Sequence, residues 1–466
     1  MSPSHKLSRR RFLGEASCAA VGSTALFSTL LNLRMASTAA AQSTSASSGD
    51  FKALVCVFFA GGIDSYNVLA PRSGLRYDQY RAIRGDIALN ATQDENNELL
   101  AIQNQDGSWP GFGIHHGMPE IRDLYNEDKL AWVCNVGTLV EPTTVAQIES
   151  RSARLPLGLF SHSDQQQQWQ TSVLREASSL GWGGKTADLL QSLNDNDRLS
   201  MNISLGGSNI WQTGNQSFSY SIGPNGSTGR TRYDGFSGLN RGLTAAVDSQ
   251  LDLEYKNLFE DTFARESKRS IDSHLEFSEA IGTQIPFTTT FPSSSIGERL
   301  RMVARAIAAR NELGMRRMTF FIQLGGWDHH DEVLDNMDAM VPQVSQAVGA
   351  FNAAMEELGM SESVTLFSAS DFARTLTSNG RGSDHAWGGN QFVCGGAVNG
   401  GWMYGTYPEL YAGAAQDLGR GRMVPTTSVD EYFAELALWF GVSPQDLPTV
   451  LPNINNFPGS LGFLSA

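Results

Sequence analysis

One apolar run in this chain ends at a dense group of residues that could bind a metal ion. Residues 320–324 are aromatic or aliphatic apart from one glutamine, and Gly325-Gly326 and then Trp327-Asp328-His329-His330 follow them. A short apolar run bounded by glycines predicts a buried strand of a parallel sheet, and open α/β sheets carry their chemistry beyond the carboxyl ends of such strands. Asp328 and His330 are therefore candidate metal ligands. The alternative is a solvated turn that caps a helix beginning near Asp331.

Two more apolar runs are followed by carboxylates in the same way. Asp64 comes after Gly61-Gly62 at the end of one run, and Asp371 comes after the run at residues 363–368. Glycines let a backbone turn sharply and approach a ligand closely, so the repeated arrangement predicts one shared site. Each aspartate taken alone has an ordinary alternative, such as Asp64 capping the next helix.

A glycine-rich loop adds a further imidazole, His385, and the recurrence of such groups at successive strand ends favours a common function. Zinc and hard divalent ions accept this mixture of carboxylate and imidazole ligands. Such a centre can polarise an ester oxygen and activate a nucleophile. The adjacent pair His115-His116 could also bind a metal, or it could be a hydrogen-bonded part of a loop.

Ser161-His162 stands directly before a polar helical run at residues 166–174. A serine at such a junction is either a helix N-cap or a hydroxyl nucleophile placed where helix amides favour an anion. Ser65, directly after Asp64, is the competing hydroxyl. Both serines therefore stay open as nucleophiles at this stage.

The elements that would position these residues alternate along the chain. Runs of β-branched and aromatic residues predict strands at residues 52–60, 129–136, 318–324, 363–368 and 391–397. Apolar residues at helical spacing predict helices at residues 118–127, 251–280, 296–313, 341–358 and 428–440. A polar surface excursion at residues 72–110 and a loop-rich accessory region at about residues 195–295 interrupt this order. The alternation predicts one α/β domain over residues 51–466 with a mostly parallel central sheet.

The N-terminus has the features of an export signal. Arg9-Arg10-Arg11 is followed by Phe12-Leu13, a mildly apolar stretch rich in Ala, Ser and Thr, and the small residues 39–41. Paired arginines before Phe-Leu match the twin-arginine type, and the weak hydrophobicity argues against a retained membrane span. We expect a signal peptide at residues 1–41, a linker at residues 42–50, handling by the twin-arginine (Tat) translocase, and a periplasmic or secreted protein.

Charge and cysteine content narrow the class of protein. The chain has 48 acidic and 34 basic residues, and the signal peptide would remove several of the basic ones. An acidic surface repels phosphate backbones and anionic lipid, so we expect no nucleic-acid partner. Cys56, Cys134 and Cys394 lie in apolar stretches without a close pair, which predicts buried free thiols. An oxidoreductase is disfavoured because no dinucleotide-binding fingerprint is present.

Seven short motifs resemble the exported bacterial family catalogued as domain of unknown function 1501. They are GGIDSYN at residues 61–67, SH at 161–162, GW at 181–182, GGWDHH at 325–330, DFAR at 371–374, DHAWGG at 384–389 and VPTTSV at 424–429. The likeness covers nearly the whole mature chain. That family resembles a branch of the alkaline phosphatase and sulfatase superfamily. The resemblance therefore implies an alkaline phosphatase-like three-layer α/β/α sandwich and metal-assisted hydrolysis of phosphate or sulfate esters.

The resemblance also implies metal ligands, carried over residue by residue. Asp328, His330 and His385 correspond to the ligands of one metal, and Asp64 and Asp371 to those of a second. The ion would be zinc, manganese or calcium, with one or two bound. Relatives usually have a histidine directly after the second-metal aspartate, and their first aspartate and histidine are spaced more widely. In this chain Phe372 stands directly after Asp371, where the histidine would be expected. A complete two-zinc site is therefore in doubt.

For the reaction itself, the resemblance implies Ser161 as the nucleophile. Arg374 or His162 would hold the anionic group of a small ester substrate or transfer protons. The alternative is a non-catalytic exported binding or assembly protein that keeps the fold and a degenerate metal site. The absent histidine favours this alternative, whereas the surviving aspartates and histidines favour the enzyme.

Overall fold

The chain folds around a nine-stranded sheet in a computed structural model that describes residues 51–91, 99–104, 107, 111–282, 286–457 and 459–465. The predicted signal peptide and linker lie outside these residues. In spatial order the sheet contains β13 (Met403–Gly405), β5 (Leu130–Gly137), β12 (Gly389–Cys394), β9 (Val364–Ser370), β1 (Lys52–Phe59), β8 (Arg317–Leu324), β6 (Asn202–Ser204) and β7 (Tyr220–Ser221), with β14 (Thr427–Ser428) paired to β5.

The sheet is mostly parallel. Strand β12 is antiparallel to both of its neighbours, β5 and β9, and the other described pairs of this sheet are parallel. The five strands expected from sequence are β1, β5, β8, β9 and β12, so the predicted α/β class with a mostly parallel central sheet is confirmed. Two small antiparallel sheets accompany it, formed by β2 (Leu69–Pro71), β3 (Leu100–Ala101) and β4 (Phe112–Ile114), and by β10 (Arg374–Ser378) and β11 (Ser383–His385).

Helices cover both faces of the sheet. Alternate residues of β1 enter two different hydrophobic clusters, with Val55 and Val57 in one and Leu54 and Cys56 in the other. The first cluster includes α3 (Pro119–Asn126), α9 (Ser295–Ala308) and α10 (Val333–Glu357), and the second includes α6 (Trp182–Leu190), α11 (Val429–Phe440) and α12 (Leu447–Val450). Burial on both faces explains why the central strands are continuously apolar, and it produces a three-layer α/β/α arrangement.

The remaining helices are α1 (Ser65–Val68), α2 (Gly74–Arg84), α4 (Val145–Glu149), α5 (His162–Thr171), α7 (Gly238–Leu251) and α8 (Leu258–Gly282). The predicted accessory region thus contains β6 and β7, which extend one edge of the sheet, and two helices. Among the helices of the described residues, none combines the length and apolar character that crossing a bilayer requires. The three cysteines expected as buried free thiols are buried and free.

Helix α10 begins eight residues before the start predicted from sequence. It contains Pro342, which lacks a backbone N–H and usually ends or kinks a helix. Val333 and Met337 are nevertheless buried and continue the apolar face of the helix towards its N-terminus. Packing of this face against α9 therefore outweighs the cost of the proline. As a consequence, the helix starts directly after the loop that carries Asp328.

The segment at residues 72–110, which was predicted to lie on the surface, also contributes buried side chains. Helix α2 places Tyr80 and Arg84 in fully buried positions, although residues 72–110 are polar overall. A fully buried arginine requires a partner of opposite charge. This partner is Asp64, one of the residues that the sequence pattern singled out.

Candidate metal centre

Three of the candidate aspartates follow strands that are adjacent and parallel. Phe59, near the end of β1, is in register with Leu324 of β8 and with Ser370 of β9. The loops that follow these strands therefore meet beyond the carboxyl ends of the central strands. Gly61 is essential to this meeting, because it has a φ of 121° and a Cβ at this position would lie 2.5 Å from the amide nitrogen of Asp328.

Asp328 is the centre on which the other groups converge. Its Oδ1 lies 3.1 Å from Nε2 of His330 and 3.2 Å from Nε2 of His385. Its Oδ2 lies 3.4 Å from Nε2 of His162. Nη2 of Arg374 donates a hydrogen bond of 2.5 Å to Oδ1. One carboxylate thus faces three imidazoles through the same ring nitrogen, Nε2.

The other nitrogen of His385 shows which tautomer this ring adopts. Nδ1 lies 2.8 Å from the carbonyl oxygen of Phe160. A carbonyl oxygen can only accept, so Nδ1 carries the proton and Nε2 of the neutral ring has a free lone pair. Burial lowers the pKa of His385, which favours the neutral ring.

His162 and His330 have the same arrangement, with carboxylates as their acceptors. Nδ1 of His162 lies 2.7 Å from Oδ2 of Asp371, and Nδ1 of His330 lies 3.2 Å from Oδ1 of Asp384. Burial raises the pKa of Asp384, but its hydrogen bonds with Arg420 and other donors outweigh burial and lower the pKa overall, so this carboxylate is ionised and accepts. Carboxylates and carbonyls that accept from the distal nitrogen of a metal-binding histidine are a recurring feature of metal sites.

The donor atoms are spaced as metal ligands are spaced. Nε2 of His330 and Nε2 of His385 are 2.9 Å apart, so two lone pairs face each other beside the Asp328 carboxylate unless a proton or a metal ion lies between them. Ligand atoms of His162, Asp328 and His385 all lie within 4.8 Å of one another. With bond lengths of about 2.0–2.2 Å around a tetrahedral zinc ion, neighbouring ligand atoms are separated by a little more than 3 Å. The residues present therefore fit a metal ion.

The electrostatic state of Asp328 suits this role. Burial alone would raise its pKa, but the positive charge and hydrogen bond of Arg374 outweigh burial and lower the pKa overall. The carboxylate is therefore ionised at neutral pH. Arg374 itself is fully buried, so its guanidinium supports Asp328 from inside the protein and presents no exposed nitrogen to a substrate.

The structure brings together some of the predicted metal ligands and separates others. Asp328, His330 and His385 lie in mutual contact, as described above. Asp371 contacts this group through His162, which the sequence analysis assigned to anion binding or proton transfer. Oδ2 of Asp371 also accepts hydrogen bonds from Nε2 of Gln166 at 2.8 Å and from the amide of Gly61 at 3.2 Å. Burial raises the pKa of Asp371 in spite of these donors.

In the described part of the chain, Asp64 makes no hydrogen bond or ion pair with His162, His330 or His385. Its side chain is fully buried, and its Oδ2 forms an ion pair with Nη2 of the equally buried Arg84. Its Oδ1 makes no hydrogen bond with the described residues. Arg84 also donates from Nη1 to the carbonyl oxygen of Thr375 at 3.1 Å. The guanidinium of Arg84 is thus fixed beside the carboxylate that the sequence assigned to a second metal.

Phe372 directly follows Asp371, at the position where the resemblance led us to expect a histidine. Its ring centroid lies 4.8 Å from that of His162 and 4.6 Å from that of His385. The Phe372 ring therefore packs against two of the imidazoles and contributes no ligand atom. The departure noted in the sequence has a direct structural consequence at this point.

The two candidate serines occupy different environments. Ser161 is the N-cap residue of α5, yet its side chain makes no capping hydrogen bond and its Oγ lies 3.1 Å from Oγ of Ser163. It stands between Phe160 and His162, which both contact the metal-ligand group. Ser65 is buried, and its Oγ accepts a hydrogen bond from the amide of Asn390 at 3.0 Å. Its hydroxyl therefore serves the structure of the loop.

Four contributors to the site were not identified from sequence. Asp384 stands next to His385 in the chain, so its carboxylate was within reach of sequence reasoning. Gln166 lies one helical turn after His162, which is a weaker signal. Arg84 has no local signal, because its partner is 20 residues away. Phe160 contributes a backbone carbonyl from a residue with a φ of 69°, which side-chain patterns do not reveal.

His115 and His116 form a second group with Asp338, but their hydrogen bonding has the opposite polarity. Nδ1 of His115 accepts from the amide of Gly117 at 3.1 Å, so the proton of the neutral ring is on Nε2. Nε2 then carries the proton and offers no lone pair; it lies 3.4 Å from Oδ1 of Asp338, although neither atom makes a hydrogen bond with the described residues. Burial lowers the pKa of His115 to about 3, which keeps the ring neutral. His115 therefore fits the hydrogen-bonded loop role.

Comparison with known proteins adds the family of the chain. No curated protein shows significant sequence similarity to it. Solved structures with a similar fold include Ps i-CgsB in complex with k-i-k-neocarrahexaose, with 11% identity over 87% of this chain and 77% of the other and a TM-score of 0.33. The PsFucS1 sulfatase from Pseudoalteromonas sp. is similar with 11% identity over 85% and 68% and a TM-score of 0.32.

A TAB5 alkaline phosphatase mutant with bound Mg is similar with 12% identity over 74% of this chain and 91% of the other, at a TM-score of 0.22. TM-scores this low do not indicate the chemistry of the site. The family description "Protein of unknown function (DUF1501)" matches residues 51–446, which include every residue of the candidate centre. The chain belongs to the DUF1501 family.

Proposed function

We propose that this protein is an exported metal-dependent hydrolase of phosphate or sulfate esters. One observation carries the proposal: His162, His330 and His385 all present Nε2 to the Asp328 carboxylate, while an acceptor fixes the proton of each ring on Nδ1. Three lone pairs that face the two oxygens of one ionised carboxylate are electrostatically unfavourable without a cation. The arrangement is explained if a divalent ion such as zinc or manganese is the missing positive charge.

The residues around the site would have distinct roles in such a reaction. A bound divalent ion would polarise the ester and favour ionisation of a nearby nucleophile. Ser161 is the attacking hydroxyl in this proposal, because it is free of a capping bond and stands at the N-terminus of α5, where unpaired amides favour negative charge. Asp371 and Asp384 keep the imidazoles in the tautomer that presents Nε2. Arg374 keeps Asp328 ionised.

A second candidate function rests on the same arginine. Nη2 of Arg374 already supplies a positive charge 2.5 Å from Oδ1 of Asp328. If this ion pair satisfies the carboxylate by itself, the chain is a non-catalytic binding or assembly protein with a degenerate site. The two candidates differ in one measurable quantity, the divalent ion bound per chain.

The test combines metal analysis with hydrolysis assays on the exported protein. Purified protein should contain a stoichiometric divalent ion, and after metal reconstitution it should hydrolyse at least one of a phosphomonoester, a phosphodiester and a sulfate ester of p-nitrophenol. Asp328→Asn and His385→Ala should lose both the ion and the turnover. Asp331→Asn and His116→Ala are matched controls, because they change an adjacent carboxylate and an imidazole outside the centre. A metal content below about one ion per ten chains would favour the binding protein.

A further inference from the structure

The carboxylate of Asp64 is neutralised from within the protein. Asp64 and Arg84 both have fully buried side chains, and they form an ion pair through Oδ2 and Nη2. A buried carboxylate requires a counter-charge, and removal of one partner from such a pair is strongly destabilising. Metal ions are one source of this charge in proteins. Here a guanidinium supplies it.

The position of this guanidinium is fixed by a second contact. Nη1 of Arg84 donates to the carbonyl oxygen of Thr375 in β10. Thr375 directly follows Arg374, the residue that pairs with Asp328. Arg84 thus contacts the residue next to Arg374. Each of the two arginines neutralises one of the predicted ligand aspartates. A cation that replaced Arg84 would have to break both of its contacts.

One oxygen of Asp371 is also occupied by donors from the protein, whereas its Oδ1 has no hydrogen-bond partner among the described residues. Its Oδ2 already receives three hydrogen bonds, from Gly61, His162 and Gln166. The next residue, Phe372, fills the space beside His162 and His385 with an apolar ring. Of the groups assigned to a second metal, one carboxylate is therefore neutralised by arginine and the other holds an imidazole.

We infer that Arg84 takes the place of a second metal ion, so that the chain binds one divalent ion. That ion lies at Asp328 and its imidazoles, and the Asp64–Arg84 ion pair is a permanent part of the protein. The inference rests on the proposed function, since it requires the first ion. It concerns the number of ions and the residues that bind them.

The experiment is a titration of metal-free, exported protein with Zn²⁺, followed by equilibrium dialysis and elemental analysis. The comparison variant is the double substitution Asp64→Asn with Arg84→Met. It removes both buried charges together, and such replacement of a pair is commonly tolerated where a single change is not. Circular dichroism and thermal unfolding establish that the variant is folded. The expected result is one Zn²⁺ per chain for both proteins, with similar affinity.

Each of the other outcomes would contradict either the inference of a single ion at Asp328 or the proposed metal-dependent function. Two Zn²⁺ in the natural protein and one in the double variant would show that Asp64 binds an ion and that Arg84 does not replace it. One Zn²⁺ in the natural protein and none in the folded double variant would place the ion at Asp64. No tightly bound Zn²⁺, Mn²⁺ or Ca²⁺ in the natural protein would instead refute the proposed metal-dependent function.

Discussion

His162 lies 2.7 Å from Asp371 through Nδ1 and Oδ2, and this contact directs the opposite nitrogen of the ring towards Asp328. The two residues are 209 positions apart in sequence. Asp371 therefore acts through His162 and has no contact of its own with the Asp328 carboxylate among the described hydrogen bonds and ion pairs. In the proposed site, metal binding should therefore depend on how Asp371 orients the ring of His162.

Asp371→Asn should weaken metal binding without abolishing it. The amide can accept from Nδ1 less strongly than a carboxylate and can also turn its NH₂ group towards the ring, so the tautomer is no longer fixed. Loss of such an orienting partner typically costs about 10–100-fold in metal affinity. Competition with a coloured chelator measures the change. An affinity equal to that of the natural protein would show that Asp371 does not orient His162.

Ser161→Ala should keep the fold and the metal while turnover falls by on the order of a thousandfold or more, because the attacking oxygen is removed. Mass spectrometry of quenched protein should find a phosphoryl or sulfo group on the peptide that contains Ser161. Near-normal turnover with metal bound would leave water as the nucleophile.

Ser65→Ala is the matched comparison for this change. It removes an acceptor from the amide of Asn390, so it should lower the free energy of unfolding by about 1–3 kcal/mol. Turnover per folded molecule should stay close to normal. Urea denaturation and an active-site-independent measure of folded protein separate the two effects. A large loss of turnover in folded Ser65→Ala would make it the better nucleophile candidate.

The pH dependence of stability should reveal the buried Asp430. Burial raises its pKa to about 7, although the amide of Asn453 donates to it at 3.0 Å. The pKa in the unfolded chain is about 3.9. The folded state therefore binds more protons than the unfolded state between about pH 4 and pH 7, and this contribution to stability falls as pH rises through that window, by on the order of 4 kcal/mol.

Asp430→Asn should remove this part of the pH dependence and still accept the amide of Asn453. The free energy of unfolding of the variant minus that of the natural protein should therefore increase from pH 4.5 to pH 8 in urea denaturation. The exposed Asp331→Asn should show no such trend. A difference that stays constant with pH in the Asp430 variant would mean that Asp430 titrates normally in the folded protein.

Changing Arg9 and Arg10 together to Lys should leave unprocessed precursor inside the cell, because the paired guanidinium groups are what the export receptor reads. Cell fractionation and immunoblotting compare this variant with a protein in which Lys6 alone is changed to Arg. Normal export of the double-lysine variant would refute the twin-arginine assignment.

The sequence by itself determined the central strands and the chemistry at their ends. Continuous apolar runs can be buried on both faces only within a covered parallel sheet, so β1, β8 and β9 were predictable, and Gly61 and Gly325 marked where β1 and β8 stopped. Asp328, His330 and His385 were identified in this way. The start of helix α10 was predicted eight residues too late, because the burial of Val333 and Met337 depends on tertiary packing.

Only the tertiary structure decided which charges meet. A carboxylate reads the same in sequence whether it faces an imidazole, as Asp371 faces His162, or a guanidinium, as Asp64 faces Arg84. These pairings depend on how loops separated by tens to hundreds of residues cross at the edge of the sheet, and ion-pair energies change steeply with distance and burial. The carbonyl of Phe160, which fixes the proton of His385, has no side-chain signal at all. The inference of a single metal ion rests on these contacts.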